Sequence, residues 1–110
     1  MEVNLYEGLP IVEAKGEIDH WRAPELEQKI NEVIEKGHNK IIVDFSNLTY
    51  IDSGGISVLF LQLQKLKSLK GRLIVITSNK NIIKILSLVK ITRQEGFSLC
   101  SDMESAKKNM

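Results

Sequence analysis

The chain has 110 residues, of which 43% are hydrophobic and 26% charged, and its net charge is +1. That is one globular domain, spanning 1–110, with no charge excess that would suggest nucleic acid as a partner. A lone cysteine, Cys100, excludes an internal disulfide and points to a reducing compartment.

No apolar run approaches the roughly 18 residues of a membrane span. Glu2 and Glu7 stand where a secretory leader would carry basic residues. A cytoplasmic protein that meets no membrane is therefore expected. The charges are unevenly spread: residues 1–35 hold nine acids against three bases, and the remainder five against twelve. Such bipolarity can steer a protein partner, or it can reflect two solvated faces that happen to differ.

Val3–Tyr6 and Ile11–Ile18 read as two extended segments. Glu7-Gly8 between them supplies a turn, so an antiparallel hairpin is expected. Gly16, inside the second segment, marks a bulge or a close backbone approach. Residues 19–23 (Asp-His-Trp-Arg-Ala) form a loop. Pro24 then sits where the first helical residue should be, with Glu25 and Glu27 at the positive end of the helix dipole. Leu26, Ile30, Val33 and Ile34 recur at helical spacing, and Gly37 fits a left-handed C-terminal cap.

Ile41–Phe45 is a continuous apolar strand ending near Asp44, whose carboxylate can bond loop N–H groups. Residues 46–50 read as a short connection. Residues 51–55 turn sharply into a helix that runs to about Leu69, ended by Gly71 in the manner of Gly37, with Lys65, Lys67 and Lys70 favoured at its negative end. Arg72–Ile76 is a second continuous apolar strand. Such runs fit strands covered on both faces, with a right-handed crossover between them. Residues 77–79 are a turn and cap. A short helix, Asn81–Val89, places Ile82, Ile85, Leu86 and Val89 inward. A last, weak strand over 91–99 and a helix opened by a capping box at 101–104 (Ser-Asp-Met-Glu) complete the chain. The order β-β-α-β-α-β-α-β-α is that of an α/β domain with a mixed sheet.

The chemistry concentrates at residues 51–55, Ile-Asp-Ser-Gly-Gly, between strand and helix. Asp52 or Ser53 can cap the free N–H groups there, which is the ordinary structural role. Ser53 can also accept a phosphate. The helix N-terminus tolerates the charge, while the surface beside Asp52 becomes strongly negative. A nucleophilic serine is the third possibility. The nucleophile elbow needs glycine two residues to either side; Gly55 fits downstream, but Ile51 stands upstream. Neither His20 nor His38 lies in a recognisable partner motif. No phosphate-binding glycine fingerprint and no metal-ligand spacing are present, so neither cofactor nor metal is expected. Trp21 reads either as a packed core aromatic or as an exposed interface anchor.

Taken together, Gly16-Glu17-Ile18-Asp19, the amphipathic helix, Ile42–Ser46, Ile51–Ile56 and Gly71-Arg72-Leu73 resemble the bacterial anti-sigma-factor antagonists, single-domain members of the STAS family. The resemblance covers residues 3 to 108. It implies a mixed sheet of four to five strands with about four helices packed mainly on one side. It also implies a non-enzymatic binding protein. The unphosphorylated form would bind an anti-sigma factor that is itself a serine kinase and so release a sigma factor. Phosphorylation, mapped onto Ser53, would end binding, and a serine phosphatase would reset the switch. Asp19, His20, Trp21, Asp52, Gly54, Gly55 and Ser57 would form the partner surface of a monomer. Gly54 departs from the Ser or Thr usual in that family, leaving Ser53 the sole acceptor of the motif. The same departure keeps open a STAS scaffold or small-ligand sensor.

Overall fold

A computed structural model describes residues 1–110. Seven strands and four helices follow in order: β1 Glu2–Tyr6, β2 Leu9–Glu13, β3 Gly16–Ile18, α1 Ala23–Glu35, β4 Lys40–Asp44, β5 Leu48–Ile51, α2 Ser53–Ser68, β6 Arg72–Ile76, α3 Lys80–Leu88, β7 Phe97–Cys100 and α4 Met103–Lys108. The expected strand over 91–99 is shorter and later: Ile91–Arg93 is a single 3-10 turn, and the strand β7 starts only at Phe97. Five strands form one sheet in the order β1-β2-β4-β6-β7. β1 is antiparallel to β2, and every other neighbour in that sheet is parallel, so the sheet is mixed as expected.

Alternation along the strands divides the core. Val12, Ile41, Val43, Leu73 and Val75 face the larger cluster, completed by Leu26, Ile30 and Val33 of α1, Leu59, Leu63 and Leu66 of α2, and Ile82 and Leu86 of α3. Ile11, Ile42, Ile74 and Ile76 point to the opposite face, where Ala106 and Met103 of α4 cover them. β4 and β6 are thus buried on both faces, which is why their sequences are apolar without interruption. Three helices lie on one side and α4 alone on the other.

The expected segment Ile11–Ile18 is two strands. After Glu13 the chain leaves β2. Gly16, with φ +80°, then admits a register shift that starts β3. β3 pairs in parallel with β5, in a two-stranded sheet of its own. β5 corrects a second expectation, because residues 46–50 are not merely a connection. Asp44 acts as expected: its carboxylate accepts from Ser46 N at 2.9 Å and turns the chain toward β5.

The helix ends differ in detail from the sequence pattern. Gly37 takes the left-handed cap (φ +96°), its N–H bonding Ile34 O while His38 N bonds Val33 O. After α2 that conformation falls on Lys70, with φ +57°, and not on Gly71. Gly71 is required for another reason: a Cβ there would lie 1.8 Å from the Asn39 carbonyl oxygen. At α4 the cap is Asp102, not Ser101. Val89 lies outside α3 and is exposed.

Between α1 and α2, fully buried Gln62 donates to Asn31 Oδ1 at 3.1 Å, and Lys65 donates to the same oxygen at 3.0 Å. This polar bridge fixes how α2, and hence its N-terminus, sits against α1.

Candidate functional site

β3 and β5 end side by side, with Ile18 opposite Ile51. The next residue of each strand is an aspartate, and the two aspartates organise the surface. Asp19 Oδ1 accepts from Trp21 N and Arg22 N, both at 3.0 Å, and its carbonyl accepts from Ala23 N at 2.8 Å. Arg22 folds back beneath β3 and donates to Lys15 O at 2.9 Å and to Glu17 O. The loop 19–22 is therefore pinned at both ends. Its two aromatic side chains are turned outward, with ring centroids 4.9 Å apart. Trp21 is 80% exposed, so the packed-core alternative for this residue is wrong.

Asp52 is the node. Its N–H donates to Ile18 O at 3.0 Å, continuing the β3–β5 pairing. Its Oδ1 accepts from Gly54 N at 2.8 Å and Gly55 N at 3.3 Å, capping α2. Its Oδ2 accepts from His20 N at 3.0 Å. One carboxylate thus satisfies the helix start and holds the loop 32 residues upstream. The His20 ring Nδ1 lies 3.8 Å from the same oxygen.

Both glycines are needed for close approach. A Cβ on Gly54 would stand 3.0 Å from His20 Cα and 3.1 Å from Asp52 Oδ1. One on Gly55 would stand 2.7 Å from Ile51 Cγ1 and 2.9 Å from Ile18 Cγ2. Gly54 lets the loop close on the helix, and Gly55 lets the helix close on the β3–β5 pair.

With Asp52 as the cap, Ser53 is the first helical residue and not the capping side chain. It is exposed, and its hydroxyl makes no hydrogen bond within the protein. Ser57, one turn on, is also exposed. Asp19, His20, Trp21, Asp52, Ser53, Gly54 and Ser57 therefore lie on one continuous surface, whereas Gly55 is buried and shapes it from beneath. The surface is not a cavity: none of these residues lines any of the three clefts of the molecule.

Tyr50, 46% exposed on β5, and Glu17, its register partner on β3, precede the two aspartates by two residues each. The sequence pattern included Glu17 in its Gly-Glu-Ile-Asp motif and passed over Tyr50. The signal was the β-prone Leu-Thr-Tyr-Ile run hidden between two short turns.

The STAS domain family model matches residues 1–106. This chain belongs to the STAS domain family. Over 88 residues the domain is 23% identical to a Bordetella bronchiseptica protein provisionally named anti-sigma factor antagonist BtrV, covering 80% of this chain and 76% of that one. The crystal structure of an anti-sigma factor antagonist from Mycobacterium paratuberculosis matches with a TM-score of 0.87 at 25% identity, over 98% of this chain and 90% of that one. The anti-sigma factor antagonist SpoIIAA matches in its unphosphorylated form with a TM-score of 0.75 at 20% identity, over 98% and 94% of the two chains. In its phosphorylated form, the Bacillus cell fate determinant SpoIIAA matches with a TM-score of 0.74 at 19% identity, over 99% and 98%. At these identities the SpoIIAA likenesses speak to the fold of the STAS domain.

Proposed function

We propose that this STAS domain is an anti-sigma factor antagonist switched by phosphorylation of Ser53. Its partner is an anti-sigma factor with serine kinase activity, which both binds the domain and modifies it, and a serine phosphatase restores the binding form. The observation that carries this reading is the placement of Ser53. It is an unpaired, exposed hydroxyl at the first position of α2, beside a carboxylate that fixes the surrounding surface.

The electrostatics support a switch that works without refolding. A phosphate adds about −1.5 to −2 charge. A helix N-terminus is the one helix end that tolerates it. Here, however, the N–H groups of Gly54 and Gly55 are already engaged by Asp52. The new charge is accommodated but not absorbed, and it stays displayed next to Asp52 and within the surface that carries Trp21. Like-charge contacts across an interface cost several kcal/mol, so a partner matched to the unmodified surface loses at least about tenfold in affinity. The likeness to SpoIIAA in both of its forms supports a fold that survives the modification.

The test is capture of the kinase partner from the native cell extract, with and without ATP, followed by mass measurement of the captured domain. A co-purified kinase and one added phosphate at Ser53 are the expected result. Ser53→Ala should retain the partner in the presence of ATP, and Ser53→Asp should weaken it at least tenfold. Equal retention of all three forms would remove the switch.

A further inference from the structure

β1 lies at one edge of the main sheet, and all five of its residues, Glu2-Val3-Asn4-Leu5-Tyr6, are exposed. β7, at the other edge, is shorter and half-buried. Natural edge strands are usually blunted by proline, lysine or a bulge. β1 has none of these, and its register with β2 is unbroken over its whole length.

The turn that joins the two strands dictates which backbone groups face outward. Glu7 (φ +52°) and Gly8 (φ +82°) form a two-residue turn of the type I′ kind, which makes Tyr6 and Leu9 a hydrogen-bonded pair. Hydrogen-bonded and non-bonded pairs then alternate back along the hairpin. Tyr6, Asn4 and Glu2 spend their N–H and C=O groups on β2. Those of Val3 and Leu5 face away from the sheet.

We propose that β1 is a homodimer interface. A second copy adds its own β1 antiparallel across a twofold axis at Asn4, giving a continuous ten-stranded sheet. In this register Val3 of each copy faces Leu5 of the other, and the four outward groups on each side pair without remainder. Asn4 faces Asn4, and Glu2 faces Tyr6. The apolar side chains agree with the backbone. On the α1 face, Val3 and Leu5, 65% exposed, border a cleft of about 270 Å³ lined also by Pro10 and Val33, with Lys36 and His38 at its rim. The Leu5–Val3 pair of the second copy lies beside that cleft. On the α4 face, Lys107 Nζ sits 4.6 Å over the Tyr6 ring. Lys107 is already paired with Glu7 of its own chain at 2.7 Å, so Glu2 of the second copy, opposite Tyr6, comes beside a filled ion pair and the α4 face adds no new charge pairing. No like charges oppose one another anywhere in the register.

A five-residue strand pair lies at the low end of interface size, so the dimer forms at high protein concentration and the monomer prevails in dilute solution. The α2 entrance remains uncovered in both states.

Sedimentation velocity from about 10 µM to about 1 mM tests this. The wild-type chain should move from its 12.5 kDa mass toward twice that value. Leu5→Pro removes only an outward N–H, which an edge strand tolerates. It should leave the melting transition in place and abolish association. Leu5→Lys should do the same, and serves if the proline variant fails to fold. A wild-type chain that stays monomeric at the highest concentration overturns the proposal, as does association undiminished in a folded Leu5 variant.

Discussion

Helices α2, α3 and α4 all begin with an Asn or Asp side chain folded onto their first free N–H groups. At α3, Asn79 Oδ1 accepts from Asn81 N at 2.9 Å and Ile82 N at 3.2 Å. At α4, Asp102 Oδ1 accepts from Ser105 N at 2.8 Å. These two caps serve their own helices. At α2 the same device has a second partner, because Asp52 Oδ2 reaches His20 N on another loop. An ordinary cap becomes the organising point of a surface when its spare oxygen clamps a distant segment and the next residue is an exposed serine.

That contrast can be broken most directly at Asp52. Asp52→Ala removes the cap and the clamp together and should cost about 2–3 kcal/mol in denaturant unfolding. It should also abolish partner binding. Trp21→Ala should separate binding from stability. An 80% exposed side chain leaves the melting transition within about 0.5 kcal/mol. As an interface anchor it should cost about 2 kcal/mol in a titration against the kinase partner.

Two cap variants then sharpen the comparison. Asp52→Asn keeps an oxygen for Gly54 and Gly55 but presents an NH₂ to the His20 N–H. It should cost only about 1 kcal/mol of stability while freeing the loop, seen as faster amide exchange at His20 and Trp21. Asn79→Ala should cost a similar amount, about 1 kcal/mol, with partner affinity unchanged.

The smallest effect belongs to α4. The Ser105 N–H, followed by the Ser105 hydroxyl, holds the Asp102 carboxyl below the ordinary aspartate value of 3.8. The folded pKa is depressed, so the contribution is complete above that ordinary value. It fades as the pH falls through the lower folded-state value. Acid titration of the helical signal should show a small loss at that limb, and Asp102→Ala should remove it.

The parts legible in the sequence were those set by local chemistry. The uninterrupted apolar runs of β4 and β6 announced strands buried on both faces, and the spacing of Leu26, Ile30 and Val33 announced the inward face of α1. Pro24 and Gly37 marked the ends of that helix. What escaped depended on contacts between distant segments. β3 and β5 are three and four residues long and are strands because they pair with each other, 33 residues apart in register at Ile18 and Ile51. Gly71 looked like a helix cap, and its reason is the Asn39 carbonyl across the sheet. At the candidate site, the motif placed Asp52 and Ser53 at the helix entrance, but it did not divide the capping between them. Capping fell to Asp52 because its two oxygens can serve the helix and His20 at once, which one serine hydroxyl cannot do. The exposure of Trp21 follows from Asp19 turning the loop outward, and no property of the tryptophan itself discloses it.

The proposed switch turns on one comparison: the affinity of the proposed kinase partner, once purified, for the unmodified domain against the same domain phosphorylated at Ser53, measured by calorimetric titration at one salt concentration. Charge displayed beside Asp52 on an otherwise unchanged fold requires at least a tenfold loss of affinity on phosphorylation. Equal affinity for the two forms would contradict it, and would return Ser53 to the role of an ordinary first residue of a helix.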